Sequence, residues 1–182
     1  MEYQNVADEA ISAGEAADFI ISQMKAFNIE AENSQHIIDA VNEVSNNFSV
    51  SSADLATNIG KASAALSIGG VEFEQTLGML TAITEINRSG AKSARGLVSI
   101  QSRYNQILDE TSSTGQKLID FYNENNIQLY DQDGQLRSLW DTLSDVASIW
   151  DTLSENQQKY FLNIQAGEYT PLQGELLEKS ED

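Results

Sequence analysis

The chain has 182 residues, an apolar fraction of 41%, no cysteine and one proline. That length and apolar content suit a single packed domain with a short appended segment, and the lack of cysteine excludes disulfides and thiolate metal sites. Twenty-eight acids against ten bases give a formal charge of −18, a surface that repels phosphate, so no direct nucleic-acid binding is expected.

The acids alternate with apolar residues at helical spacing, the pattern of solvated helix faces. Uninterrupted apolar runs reach only a few residues, far below the roughly 20 a membrane-spanning helix needs. The opening residues lack the basic stretch and apolar run of a secretory signal.

Residues 6–24 place Val6, Ala10, Ala13, Ala17, Ile20 and Met24 at steps of four and three, which predicts a helix with a narrow, alanine-rich stripe. Gly14 weakens its interior by about 1 kcal/mol relative to alanine. Such a stripe suits an extended arm or pairing with another copy. Residues 33–48 put Ile37, Val41, Val44 and Phe48 on one face, with Asn33 or Ser34 as the helix cap. His36, the only histidine, has no second ligand near it in sequence and is assigned no chemistry.

From Ser51, with Asp54 imitating a capping box, Leu55, Ile59, Ala62 and Leu66 form a third stripe that Gly69 and Gly70 terminate. This glycine pair follows a helix and lacks the glycine spacing and lysine of a phosphate cradle. A fourth helix aligns Phe73, Leu77, Leu80 and Thr84, with Met79, Ile83 and Ile86 beside them, and Ser89-Gly90 is expected to stop it. Its wide apolar face predicts the most central position. A fifth helix runs through Leu97, Ile100, Tyr104 and Ile107 or Leu108.

Four bases, Arg88, Lys92, Arg95 and Arg103, fall across this junction. They suit pairing with surplus acids at helix ends, or a contact patch for an acidic neighbour such as another copy of the chain. Without interleaved aromatics they are a weak nucleic-acid signal. A shorter helix, "STGQKLIDFYNENN", packs through Leu118, Phe121 and Tyr122.

"LYDQDGQLRSLW" looks at first like a calcium loop. With Gly134 at the sixth position, Asp131 and Asp133 take the third and fifth, but Leu129 falls on the first and Trp140 on the twelfth. An EF-hand needs oxygen ligands at both. The stretch therefore predicts a turn with Gly134 left-handed, and a small β-like hairpin or turn element near residues 127–136 in which Ile127, Leu129 and Leu136 lie against the helices.

Leu136, Leu139, Leu143, Val146, Trp150 and Leu153 follow at steps of three and four, like a coiled-coil seam. "WDTLS" occurs twice, ten residues apart. That spacing rotates a helix by about 1000°, leaving the copies about 80° apart, so the echo is incidental. Trp140 and Trp150 read as core or interface anchors. A last helix begins with a Ser154–Gln157 capping box, turns Tyr160, Phe161 and Ile164 inward and closes at Gly167. Residues 168–182, with the only proline and a charged end, read as a C-terminal arm, partly disordered.

The order of these phrases resembles the core region of tail tape measure proteins of long-tailed bacteriophages and prophages. "VSSADLATNIGKASAALSIGGVEFEQTLGMLTAITE" is similar to the family's helix pair, and "NRSGAKSARGLVSIQSRY" to its small-residue bend and following helix. "GQKLIDFYNENNIQLYDQDGQLRSLWDTLSDVASIWDTLSENQQKYFLNIQAG" resembles its helix, short β-like turn and two helices ending at glycine. The likeness runs from about Ala10 to Gly167, about five-sixths of the chain. It departs after Gly167, where "EYTPLQGELL" stands in place of a further helix with an arginine-bearing start.

The resemblance implies a piece of a much longer structural protein that sets tail length while tube protein polymerises around it. The expected partners are the tail tube protein, tail assembly chaperones and tail-tip proteins, with self-association possible. The expected location is the virion tail, and the bacterial host cytoplasm during assembly. No catalytic, cofactor-binding or metal residues are expected, and no cofactor.

The expected fold is all-α, about seven helices, forming one helical domain over residues 1–167 with the first helix as a possible arm. The alternative is a non-phage bacterial helical adaptor or secreted interaction protein. An enzyme reading, a cell-wall hydrolase domain, would need a carboxylate pair such as Glu110/Asp120 or Asp131/Asp133 facing a cleft.

Overall fold

The computed structural model describes residues 13–167. Within them the chain is all-α, with eight α-helices and no strand. They are α1 (Ala13–Phe27), α2 (Ser34–Asn47), α3 (Ser52–Ile68), α4 (Phe73–Asn87), α5 (Gly90–Tyr104), α6 (Ser113–Glu124), α7 (Leu139–Ile149) and α8 (Glu155–Ala166). Tight 3₁₀ turns at Ala31–Asn33, Asn105–Leu108 and Trp150–Thr152 link some of them. The chain divides into two compact units, one of residues 13–68 and 72–97, the other of residues 69–71 and 98–167.

In the first unit α3 packs against α1, α2 and α4. Its stripe of Leu55, Ile59, Ala62 and Leu66 is almost fully excluded from solvent, as its spacing predicts. The alanines and Ser63 let neighbouring helices approach closely. Ser51 Oγ accepts the Asp54 N–H at 3.1 Å at the start of this helix. Asp54 does not answer as a capping box would; its carboxylate accepts from Asn58 Nδ2 at 2.8 Å. The helix ends where Gly70 takes φ 75°.

The wide face of α4 buries Phe73, Leu77, Met79, Leu80 and Ile83, with Thr76, Thr81 and Thr84 beside them. The buried threonines return their hydroxyls to carbonyls four residues back, so none of these hydroxyls is stranded. Ile86 is half-buried.

Three details of this unit differ from the sequence expectation. The buried face of α1 is Ala16, Phe19 and Gln23; Ala17 is exposed, Ile20 and Met24 are half-buried, and Val6 and Ala10 lie outside the described residues. The polar Gln23 hides the true stripe because it is buried through a bond to Ser63. On α2 the core residues are Ile37, Ile38 and Val41, while Val44 is half-buried and Phe48 half exposed at the helix end. Asn33 makes no side-chain cap bond.

Third, α4 stops at Arg88 rather than at Ser89-Gly90. Arg88 is left-handed at φ 54°, and Asn87 Oδ1 holds the corner by accepting the Ser89 N–H at 2.8 Å. Gly90 opens α5 instead. A Cβ there would lie 2.5 Å from Asp54 Oδ2 and 2.7 Å from Asn58 Nδ2, so its smallness serves helix approach rather than helix termination.

The second unit has an aromatic core. Phe121 stacks on Phe161 with centroids 4.6 Å apart, and Tyr122 and Trp150 meet Phe161 edge-on. Tyr104 meets Tyr122 edge-on at 6.3 Å. Such edge and offset geometries are the favoured ones for ring quadrupoles. Leu118, Leu139 and Val146 complete the core.

The predicted hairpin element is a turn closed by one antiparallel bridge, Tyr130 to Leu136. Ile127 and Leu129 are buried and Leu136 is half-buried. The leucine seam is shorter than its spacing suggests, because α7 begins only at Leu139 and ends at Ile149. Leu139, Val146, Trp150 and Leu153 are buried, whereas Leu143 is half-buried. The first WDTLS lies inside α7; the second forms a 3₁₀ turn and then the Ser154 cap of α8. One pentapeptide adopts two conformations, so the echo carries no structural repeat.

The Ser154–Gln157 capping box forms, and Gly167 closes α8 at φ 89°. Phe161 and Ile164 face inward while Tyr160 is exposed. Leu108 is exposed and Ile107 buried, because α5 gives way to a tighter turn after Tyr104. The expected arm, residues 168–182, lies outside the described residues.

Candidate interaction surface

Among the described residues no group of three or more His, Asp or Glu side chains is placed to hold a metal ion. No described helix is long and apolar enough to cross a membrane. The carboxylate pairs Glu110/Asp120 and Asp131/Asp133 are exposed. Asp131 is occupied locally, since its Oδ1 accepts the N–H groups of Asp133 at 2.9 Å and Gln135 at 2.8 Å. Gly134 supplies the positive φ, 76°, that the turn needs. These bonds use Asp131 to shape the turn.

Arg137 fastens that turn to α7. Its guanidinium donates to the Gln128 carbonyl at 2.8 Å and to Asp145 Oδ2 at 2.7 Å. The Asp145 bond holds the guanidinium pKa above its ordinary value. Behind the turn, Tyr104 donates to the Arg137 carbonyl at 2.9 Å. Burial pushes the Tyr104 phenol up to about 12 and raises the more deeply buried Tyr122 further. Neither tyrosine is a usable acid or base near neutrality. On the outside, the Thr111 hydroxyl and amide hold the Asp109 carboxyl below the usual carboxylate range.

His36 is exposed and contacts Glu74, tying α2 to α4 across the first unit. The four bases near the α4–α5 junction separate into two roles. Arg103 donates to the Ile164 carbonyl at 3.4 Å and lies beside Gly167, so it serves the carbonyl end of α8. Arg88, Lys92 and Arg95 are exposed, and none has a carboxylate within 4.0 Å among the described residues. The expectation of pairing with acids at helix ends therefore holds for none of these three.

Exposed large apolar side chains are spread over both units: Ile21, Phe48 and Ile68 in the first, Leu108, Tyr130 and Tyr160 in the second. What the described residues offer is helical surface carrying charge and scattered apolar groups. Sequence reasoning missed the Gln23–Ser63 pair and Ile38. A polar residue in phase with Ala16 and Phe19 was the available signal for the first.

No solved structure matches the chain. A family model described as phage-related minor tail protein matches residues 4–164.

Proposed function

We propose, from the premise that the chain belongs to the phage-related minor tail protein family, that it is part of a tail tape measure protein acting through protein–protein contacts inside the tail tube. The family match makes the chain a phage tail protein, and its described residues are all-α. The tape measure assignment is supported by the unbroken order of helices, bend, β-like turn and glycine-closed helix from α3 to Gly167.

In this reading the partners are the tube protein, the tail assembly chaperones and the tail-tip proteins. Assembly takes place in the host cytoplasm and the finished protein resides in the virion tail. The chain performs no catalysis of its own. Its acidic helical faces contact other polypeptides, and its buried polar groups serve the fold.

The test is tail length. In-frame removal of helical segments from the intact phage gene should shorten tails in proportion to residues removed, by about 1.5 Å per residue if the protein is helical along the tube. Infectious or assembled tails of unchanged length would leave a minor tail role without a measuring one.

A further inference from the structure

The first unit carries three cations that its own folding does not use. Arg88, Lys92 and Arg95 are exposed and have no carboxylate partner among the described residues, in a chain with 28 acids. Lys92 also stands against the polarity of its own helix. No acid stands in the first turn of α5, and Lys92 occupies that turn, where the positive end of the helix dipole disfavours a cation. Gly96, next to Arg95, has nothing within 4 Å of the position a Cβ would take, so the adjoining surface is open.

The same unit presents a surface of the opposite sign elsewhere. Between Lys25 and Lys61 the sequence holds no lysine or arginine. Glu32, Asp39 and Glu43 are exposed there, the last two on α2. Asp39 and Glu43 stand about 6 Å apart along the helix axis, and Lys92 and Arg95 about 4.5 Å. Long basic side chains bridge that difference.

We propose that Arg88, Lys92 and Arg95 form a docking strip for the Glu32–Asp39–Glu43 surface of a second copy of this chain. The two surfaces belong to different elements, so strip meets acidic surface either twice, in a reciprocal two-fold pair, or once per added copy, in a head-to-tail row or ring. The inference does not depend on the tape measure reading.

Two copies at −18 repel at long range. At about 0.1 M salt that repulsion is screened beyond about 10 Å, while contacting charges persist. Association is therefore strongest at intermediate ionic strength and weak at both extremes.

The experiment is sedimentation of the 182-residue chain over a concentration series at about 0.01, 0.1 and 1 M salt. The comparison set is Lys92→Glu/Arg95→Glu, the neutral Lys92→Gln/Arg95→Gln and Asp39→Lys/Glu43→Lys, each checked for helix content. The wild type should show a weight-average mass that rises with concentration at the middle salt, reaching at least twofold. Each variant alone should stay at monomer mass. An equimolar mixture of the first and third variants should regain association, because each supplies the surface the other has lost. A wild type that stays monomeric, a Lys92/Arg95 variant that associates like wild type, or a mixture that fails to recover would each overturn the proposal.

Discussion

Gly115 lies against the backbone carbonyl of Gln106, in space that no Cβ can share. Ser112 fixes this corner from both sides, accepting the Gly115 N–H at 3.1 Å and donating to Gln106 Oε1 at 2.8 Å. The obstructing atoms are backbone, so a side chain at position 115 must part α6 from the preceding 3₁₀ turn. Gly115→Ala should cost about 2–4 kcal/mol in urea unfolding. A loss below about 0.5 kcal/mol would show that the corner yields freely.

The second unit turns on which face of α7 is buried. Val146 is fully excluded from solvent, whereas Leu143 is half-buried. Val146→Asp leaves an unpaired charge in an apolar core and should cost about 3–5 kcal/mol. Leu143→Asp should cost clearly less, because its carboxylate reaches water. Thermal unfolding of the two variants checks the order, and a reversed order would mean the helix is rotated from the arrangement described.

In the first unit Ser63 Oγ lies 2.6 Å from Gln23 Oε1 and 2.7 Å from the Ile59 carbonyl. Its single proton serves one acceptor at a time. Ser63→Ala strands the buried Gln23 oxygen and should cost about 1–3 kcal/mol. Gln23→Leu should cost less, since Ser63 still has Ile59. The double variant should recover part of the sum, with a coupling of about 1 kcal/mol. Strict additivity would show that the two side chains do not interact.

Alkaline stability follows from the buried tyrosines. Tyr104 is raised from 10.0 to about 12, and Tyr122 is raised as well. Above pH 10 the unfolded chain releases phenolic protons that the folded chain retains, so stability falls as pH rises through that range. Below about pH 9 both states are neutral at these groups and the contribution is level. Circular dichroism and phenolate absorbance should change together above pH 10. Ionisation of all six tyrosines with helicity intact would contradict the burial of this pair.

The fold class was legible because helical periodicity survives wherever apolar residues alone make the buried face, as with Leu55, Ile59, Ala62 and Leu66. It failed where polar residues share that face. Gln23 displaced the α1 stripe by one position, and Thr76 and Thr81 vanish into α4 because hydroxyls returned to the backbone look polar in sequence. Periodicity also carried the leucine seam past real helix ends, since spacing does not register that residues 136–138 precede α7 or that Trp150 starts a 3₁₀ turn.

The Asp131–Gly134 turn was readable because failed ligand positions are explicit in sequence. The three unpaired cations were visible as residues; their lack of partners required the fold. The phage-tail assignment came from resemblance and agrees with the family match across residues 4–164, which favours it over the adaptor reading.

A phage tail protein of this family is a built-in component of the finished particle. Quantitative mass spectrometry of purified virions tests it most directly. Peptides from residues 13–167 should be present in intact virions at a fixed ratio to tube protein. Abundant peptides in the infected-cell lysate with none in purified, intact virions would contradict it.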